Sequence, residues 1–365
     1  MSEPLPEWSA TPVRPATKPP TGTPLLELHD VDVEIPLDHG VLHAVRGVSL
    51  TASAGQSVGL VGESGSGKSL TLRAAMDLLP VPARITGGSI VVNGVDVTGL
   101  SPARRREHLS SVMAMIFQDS LTALNPTMRI GDQVAEVPRR RLGMSRADAH
   151  ARAIDLLSQV GIRDPERRYR AFPHELSGGM RQRVCIAIAL SADPGLILAD
   201  EPTTALDVTI QAQVLGVLAE LRQERGVGLV LVTHDLAVVS GTCEELNVMY
   251  AGRIVEHGRT DVLLDSPRHP YTAALLRSVP DPDQPVHRLL TIAGQPPDLM
   301  EPIPGCAFAP RCAAVVDRCL TERPPLDRVS LSAGGRDHTS ACWRSHEPEN
   351  WPTELAEAAI DGVLR

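Results

Sequence analysis

The run Val58-Gly59-Leu60-Val61 reads as a short buried strand. It leads directly into Gly62-Glu63-Ser64-Gly65-Ser66-Gly67-Lys68-Ser69, and Ser69–Leu79 is then apolar at helical spacing as far as Pro80. This strand–loop–helix order constrains the fold more than any other feature. The glycines let the backbone curl until its N–H groups point inward, and the helix N-terminus adds partial positive charge there. The loop is therefore expected to cradle phosphate through Gly62, Ser64, Gly65, Ser66, Gly67, Lys68 and Ser69. Lys68 would reach the terminal phosphates, and the Ser69 hydroxyl would ligate Mg2+.

A second glycine-rich block, Leu176-Ser177-Gly178-Gly179-Met180-Arg181-Gln182, lies far downstream. One nucleotide needs one cradle, so a chain carrying two is expected to share nucleotides with another chain. The apolar run Leu196–Ala199 ends in Asp200-Glu201. Acids at the C-terminal end of a buried strand stand where α/β folds bind their ligands. Asp200 is expected to hold Mg2+, through water, and Glu201 to polarise an attacking water. Gln118 follows a short strand, Asp207 follows the acidic pair, and His234 ends the run Leu229–Val232. Each is a weak signal singly, but in this order they complete a γ-phosphate site.

The rest of the chain reads as α/β. Leu25–Ile35 alternates like a strand, a second strand is expected around Val41–Leu50, and residues 88–100 read as a hairpin through Asn93-Gly94. The pattern turns helical over about 120–190, and helices are expected at Ile210–Glu224 and Leu236–Ser240. Residues 1–24 carry seven prolines and few large apolar side chains, which predicts a disordered tail. Past residue 265 the composition shifts, with fourteen of the 31 prolines and four of the six cysteines. The expected division is a tail over 1–24, an ATPase domain over 25–264 with a helical part at about 120–190, a cysteine-containing extension over 265–345 and a tail over 346–365.

Bulk properties narrow the partners. A net charge of −9 argues against a nucleic-acid-binding surface. No apolar stretch approaches the roughly 18–20 residues that span a bilayer, and the N-terminal apolar residues are scattered among prolines, unlike a signal peptide. The chain is expected in the cytosol, where six cysteines should not form structural disulfides.

Taken together these blocks resemble the ATP-binding subunit of ABC transporters. Ser64–Ser69 is similar to the Walker A motif, Gln118 to the Q-loop and Leu176–Gln182 to the signature motif. Leu196–Glu201 is similar to Walker B, Ala205-Leu206-Asp207 to the D-loop and His234 to the H-loop. The resemblance covers about 25–260. It implies a P-loop NTPase core with an antiparallel β subdomain and a helical subdomain. It also implies a head-to-tail dimer with two ATP molecules between the subunits, each gripped by the Walker motifs of one chain and by Ser177, Gly178 and Gly179 of the other. Family members usually stack adenine on an aromatic side chain after the first strand, but Ile35-Pro36-Leu37-Asp38-His39 has none. Modest base selectivity is expected.

Three segments resemble the peptide/nickel importer branch: Leu121–Pro126, Phe172–Ser177 and His269–Leu276. The bland reading of His269-Pro270-Tyr271 is a turn before an amphipathic helix. The chain is most similar to the branch's D-type component. The resemblance implies a second, paralogous ATPase subunit, two transmembrane permeases, an extracellular or periplasmic solute-binding protein, and a peripheral place on the cytoplasmic face of the membrane. Dipeptides or oligopeptides lead as solute; a nickel importer, or a soluble ABC ATPase outside transport, remains an alternative.

Cys306, Cys312, Cys319 and Cys342 lack the close pairs of structural zinc sites. Four thiolates on a proline-rich segment suit a [4Fe–4S] cluster, whose spacings vary more. Some members of the resembling branch bind one through these cysteines. Zinc and free, buried thiols stay open as alternatives. Cys185 and Cys243 read as small core residues.

Overall fold

The computed structural model describes residues 20–204, 207–278, 292–329, 338–353 and 355–356. Most of the tail expected over 1–24 lies outside them, as do Ala205, Leu206 and the C-terminal tail from residue 357. The described residues form two compact units, one of those within 102–227 and one of those within 22–101 and 228–356.

In chain order the elements begin with β1 (Pro24–Leu37), β2 (Gly40–Ser53), β3 (Ser57–Val61), α1 (Lys68–Ala75), β4 (Arg84–Val92) and β5 (Val95–Asp96). Next come α2 (Pro102–Val112), β6 (Met113–Ile116), α3 (Ser120–Ala123), α4 (Ile130–Arg140), α5 (Arg146–Gln159) and α6 (Pro165–Tyr169). They are followed by α7 (Gly178–Ser191), β7 (Leu196–Asp200), α8 (Val208–Arg225), β8 (Gly228–Thr233), α9 (Leu236–Thr242) and β9 (Glu245–Tyr250). The last are β10 (Arg253–Arg259), α10 (Thr260–Asp265), α11 (Pro270–Arg277), α12 (Asp317–Thr321), β11 (Asp327–Arg328) and β12 (Thr339–Ser340).

In the unit that contains β1, an antiparallel sheet runs β2-β1-β4-β5, with Leu28 opposite Leu50 and Leu26 opposite Val92. Asn93 and Gly94 both take positive φ, as a two-residue hairpin turn matching the strand twist requires. A second sheet of this unit runs β11-β12-β10-β9-β3-β8. Here β3 is parallel to both neighbours, with Leu60 beside Val232 on one side and Asn247 on the other. Both β3 and β8 are buried along their whole length, which is why they read as apolar runs without alternation. The C-terminal residues extend this sheet, since Ser340 pairs with Glu256 of β10. The Glu256 carboxylate is fully buried and is satisfied by His338 Nε2 at 2.7 Å and by the backbone N–H groups of Arg268 and His269.

In the other unit β6 and β7 pair in parallel, Met115 beside Leu198. Helices α4, α5 and α7 bury Val134, Ala153, Leu157, Val184 and Ile186 among them. Gln133 is buried because its amide exchanges two 2.9 Å bonds with the backbone of Asn125, which explains the Asn125-Pro126 turn before α4. Among the described residues no helix is long and apolar enough to cross a membrane.

Helix α1 ends at Ala75, short of the expected Leu79. Asp77 turns left-handed and the Leu78 N–H donates to Arg73 O at 2.8 Å, a Schellman-type closure that stops the helix before Pro80. The strands β9 and β10 went unread in the sequence, although Leu246, Val248 and Tyr250 alternate before the Ala251-Gly252 turn.

Candidate functional site

The phosphate loop lies between β3 and α1. Gly62 and Gly67 take φ of +154° and +105°, and a Cβ at either would meet backbone: Met249 O at 2.1 Å, Ala44 O at 2.5 Å. Glycine is therefore obligatory on two counts, backbone conformation and space. Ser66 and Lys68 are buried, whereas Ser64 and Gly65 stand exposed at the tip. Lys68 Nζ donates to Gly62 O at 2.7 Å, to Glu63 O at 2.8 Å and to Ser66 Oγ at 3.4 Å. The ammonium is thus held inside the loop, where phosphate oxygens can take over as its acceptors. Ser69 is half-buried in the first turn of α1.

Glu63 received no role from its sequence position, yet it is the most heavily engaged residue of the loop. Its carboxylate takes a bidentate pair from Arg311, at 2.7 and 2.9 Å, and its N–H donates to Tyr271 Oη at 2.8 Å. The Arg311 guanidinium is held well above its ordinary range, chiefly by the hydrogen bonds to Glu63. Burial pushes the Tyr271 phenol up, so it stays neutral. Nothing in local sequence signals contacts across 208 and 248 residues.

In the other unit Asp200 ends β7 and is fully buried. Glu201 follows with φ +45°, a left-handed conformation uncommon for a residue other than glycine and one that redirects the chain as the strand ends. Gln118 Nε2 donates to Glu201 Oε2 at 2.9 Å and Thr204 Oγ1 donates to the same oxygen at 2.8 Å. The structure thus joins Gln118 to Glu201, and adds Thr204, to which the sequence assigns no role.

Ser177 is the N-cap of α7, its Oγ accepting from the Met180 N–H at 3.4 Å, and Ser177 and Gly178 are exposed. Gly179 is buried because α8 crosses it: a Cβ there would lie 2.4 Å from Ile210 Cγ2. Asp207 caps α8, its Oδ1 accepting from the Ile210 N–H at 2.9 Å. His234 follows β8 and is exposed on the unit that contains β1. The β1–β2 turn carries no aromatic side chain; Met300 reaches it, with its Cε 2.7 Å from where a Gly40 Cβ would stand.

The expectation of an iron–sulfur cluster is corrected. Among the described residues no group of three or more His, Cys, Asp or Glu side chains is arranged to hold a metal ion. Cys306, Cys312, Cys319 and Cys342 do line one cavity, but it has room for only about 10 Å³, less than a cluster requires. Burial pushes the Cys306 thiol up, and those of Cys312 and Cys342 to about 12. The four side chains pack beside Phe308, Ala314 and Trp343. The same finding bears on zinc, and none of the four cysteines forms a disulfide.

Comparison with known proteins bears on both units. Residues 45–204 match the family described as ABC transporter, and residues 255–319 match the oligopeptide/dipeptide transporter C-terminal region. The probable peptide ABC transporter ATP-binding protein y4tR of Sinorhizobium fredii is 44% identical over 328 residues, 89% of this chain and 96% of that protein. The dipeptide transport ATP-binding protein DppD of Escherichia coli is 44% identical over 314 residues, 86% of this chain and 96% of its own length. Among solved structures, the dimeric post-hydrolysis state of the ATP-binding cassette MJ0796 bound to ADP and Pi superposes with a TM-score of 0.59. It is 27% identical and covers 65% of this chain and 99% of its own.

Proposed function

The chain belongs to the ATP-binding subunits of the ABC transporter family, in the branch that carries the oligopeptide/dipeptide C-terminal region, and from that premise we propose that it is the ATPase powering a membrane importer of di- or oligopeptides. The observation that carries the enzymatic part is the Glu201 carboxylate, oriented by Gln118 and Thr204 at the end of β7. Phosphoryl transfer needs little covalent help from a protein; it needs positioned charge and a positioned water. Glu201 polarises that water. Lys68 and the loop N–H groups hold the terminal phosphates, and His234 meets the γ-phosphate. Ser69, Gln118 and Asp200 are assigned to Mg2+, a set of hydroxyl, amide and carboxylate oxygens that suits a hard cation. Bound there, the ion neutralises charge developing on the phosphate oxygens.

In a head-to-tail pair, residues 62–69 of one chain and Ser177, Gly178, Gly179 and Asp207 of the other would enclose each nucleotide. The exposed position of Ser177 supports this reading, as does the dimeric ATP-binding cassette among the structural relatives. The working division is an ATPase core over 25–264, its helical part at about 120–190, and an extension over 265–345. The partners are a paralogous ATPase subunit, two permeases and a solute-binding protein, with the chain attached peripherally at the cytoplasmic face. The names of the relatives support peptides as the solute.

The test is Glu201→Gln. ATP should still bind, while steady-state hydrolysis falls by ~10²–10³-fold, the scale of a lost general base. Hydrolysis at the wild-type rate would remove Glu201 from its role. Uptake of labelled dipeptides and tripeptides by cells carrying the variant should fall in parallel, and unchanged uptake would overturn the transport assignment.

A further inference from the structure

We infer that the C-terminal segment is part of the nucleotide site: Arg311 and Tyr271 are positioning residues that hold Glu63, and through it the phosphate loop, in the shape that accepts ATP. The effect on ATP rests on the function proposed above; the clamp itself rests on geometry alone.

Every polar group of Glu63 described here is used. Its N–H donates to Tyr271 Oη, its carbonyl accepts from Lys68 Nζ at 2.8 Å and from the Ser66 N–H at 3.2 Å, and its carboxylate takes the Arg311 fork. Fixing the side chain and N–H therefore also fixes the carbonyl on which the Lys68 ammonium rests. A shift of this residue would move the principal phosphate-binding cation with it.

Arg311 is equally committed. Nη1 donates to Glu63 and to Tyr250 Oη, Nη2 to Glu63 and to Ile292 O, and Nε to Ala293 O. Those five bonds account for all five donors of a guanidinium, a demand no lysine can meet. The Arg311 side chain is only 4% exposed and that of Glu63 25%. The exposed pair Arg318–Glu322, at 55% and 57%, shows the contrast: pairs of that kind contribute little. A bidentate pair whose guanidinium is buried with all five donors used fixes geometry.

The aromatic residues point to the same place. The chain has three Tyr and three Phe, and Tyr250, Tyr271 and Phe308 converge behind the loop, with ring centroids 4.6–5.4 Å apart. Arg311 lies over Tyr250 and Phe308 at 5.8 and 6.0 Å. The His269-Pro270-Tyr271 motif thereby acquires a purpose beyond a turn. His269 caps α11 by accepting from the Tyr271 N–H through Nδ1 at 3.1 Å, Pro270 starts the helix, and Tyr271 is aimed at Glu63.

The experiment uses the full chain with Arg311→Gln, Arg311→Lys and Tyr271→Phe, reading KM for ATP, kcat, thermal midpoint, and amide hydrogen exchange over residues 62–66 without nucleotide. Arg311→Gln should raise KM for ATP ~10-fold with kcat little changed, as expected when one partner of a desolvated pair is lost. Arg311→Lys should recover less than half of that on a logarithmic scale, because it keeps charge but not the fork. Tyr271→Phe should speed exchange at the Glu63 amide. A lowered thermal midpoint with unchanged KM would overturn the proposal, leaving Arg311 a mere staple. If Arg311→Gln does not fold, Tyr271→Phe decides by the same readings. Should the wild-type chain fail to bind ATP, the functional reading fails, and exchange in Tyr271→Phe still tests the clamp: faster exchange supports it and unchanged exchange overturns it.

Discussion

The two glycine-rich blocks differ in how their surroundings treat them. The loop over 62–69 is held from within: Lys68 and Ser66 are buried, and Glu63 is tied to residues from the far end of the chain. The block over 176–182 is held at its back, where Gly179 lies under Ile210 and Arg181 Nε donates to Pro173 O at 2.8 Å, while Ser177 and Gly178 are exposed. A loop that grips phosphate by itself must be preorganised, because each N–H must already point at the ligand before binding. A block that completes another chain's site needs only to present a capped helix end on a firm support.

The largest effect should come from breaking the first loop. Lys68→Ala should weaken ATP binding by at least ~100-fold in titrations with the isolated chain, since a buried charge-assisted contact to phosphate is lost. Binding within a few-fold of wild type would show that the loop is not the primary cradle. Next, Gly179→Val forces a side chain against Ile210 and should destabilise the fold by about 2–3 kcal/mol, the scale of an overpacked contact. ATP binding by the first loop should survive while hydrolysis is lost. Equal loss of both would erase the contrast between the blocks.

The smallest effect is a pH dependence on the clamped side. Burial depresses His269 to about 3. Below the ordinary value of 6.5 the unfolded chain takes up a proton that the folded chain refuses. Stability is therefore fully present above that value and is lost as pH falls towards the folded one. Between pH 7 and 5.5, wild type should lose about 1 kcal/mol more unfolding free energy than His269→Asn, measured by denaturant titration. An equal loss in both proteins would mean that His269 does not remain neutral.

Much of the core was legible because its signals are local. Val58–Val61 and Leu229–Val232 read as buried strands through unbroken apolar runs, and Asn93-Gly94 marked its hairpin through residues that tolerate positive φ. Motif order placed Gln118 and Glu201 at one site without foretelling the hydrogen bond that the structure shows between them. Thr204 was not legible, because a threonine after an acidic pair has many other uses. The cysteines misled, because spacing records only which thiols could meet, whereas their three-dimensional arrangement and the space between them decide whether they can hold an ion.

By itself the sequence determined the α/β core, the loop over 62–69 and the presence of a second glycine-rich block over 176–182, since glycine placement and apolar periodicity act within a few residues. Only the tertiary structure decided that Glu63 is clamped by Tyr271 and Arg311, and that the four C-terminal thiols close on themselves. Those outcomes depend on which distant groups share a dry interior. Burial of the Arg311 guanidinium turns a surface-type ion pair into a rigid fork, and no local pattern encodes that burial.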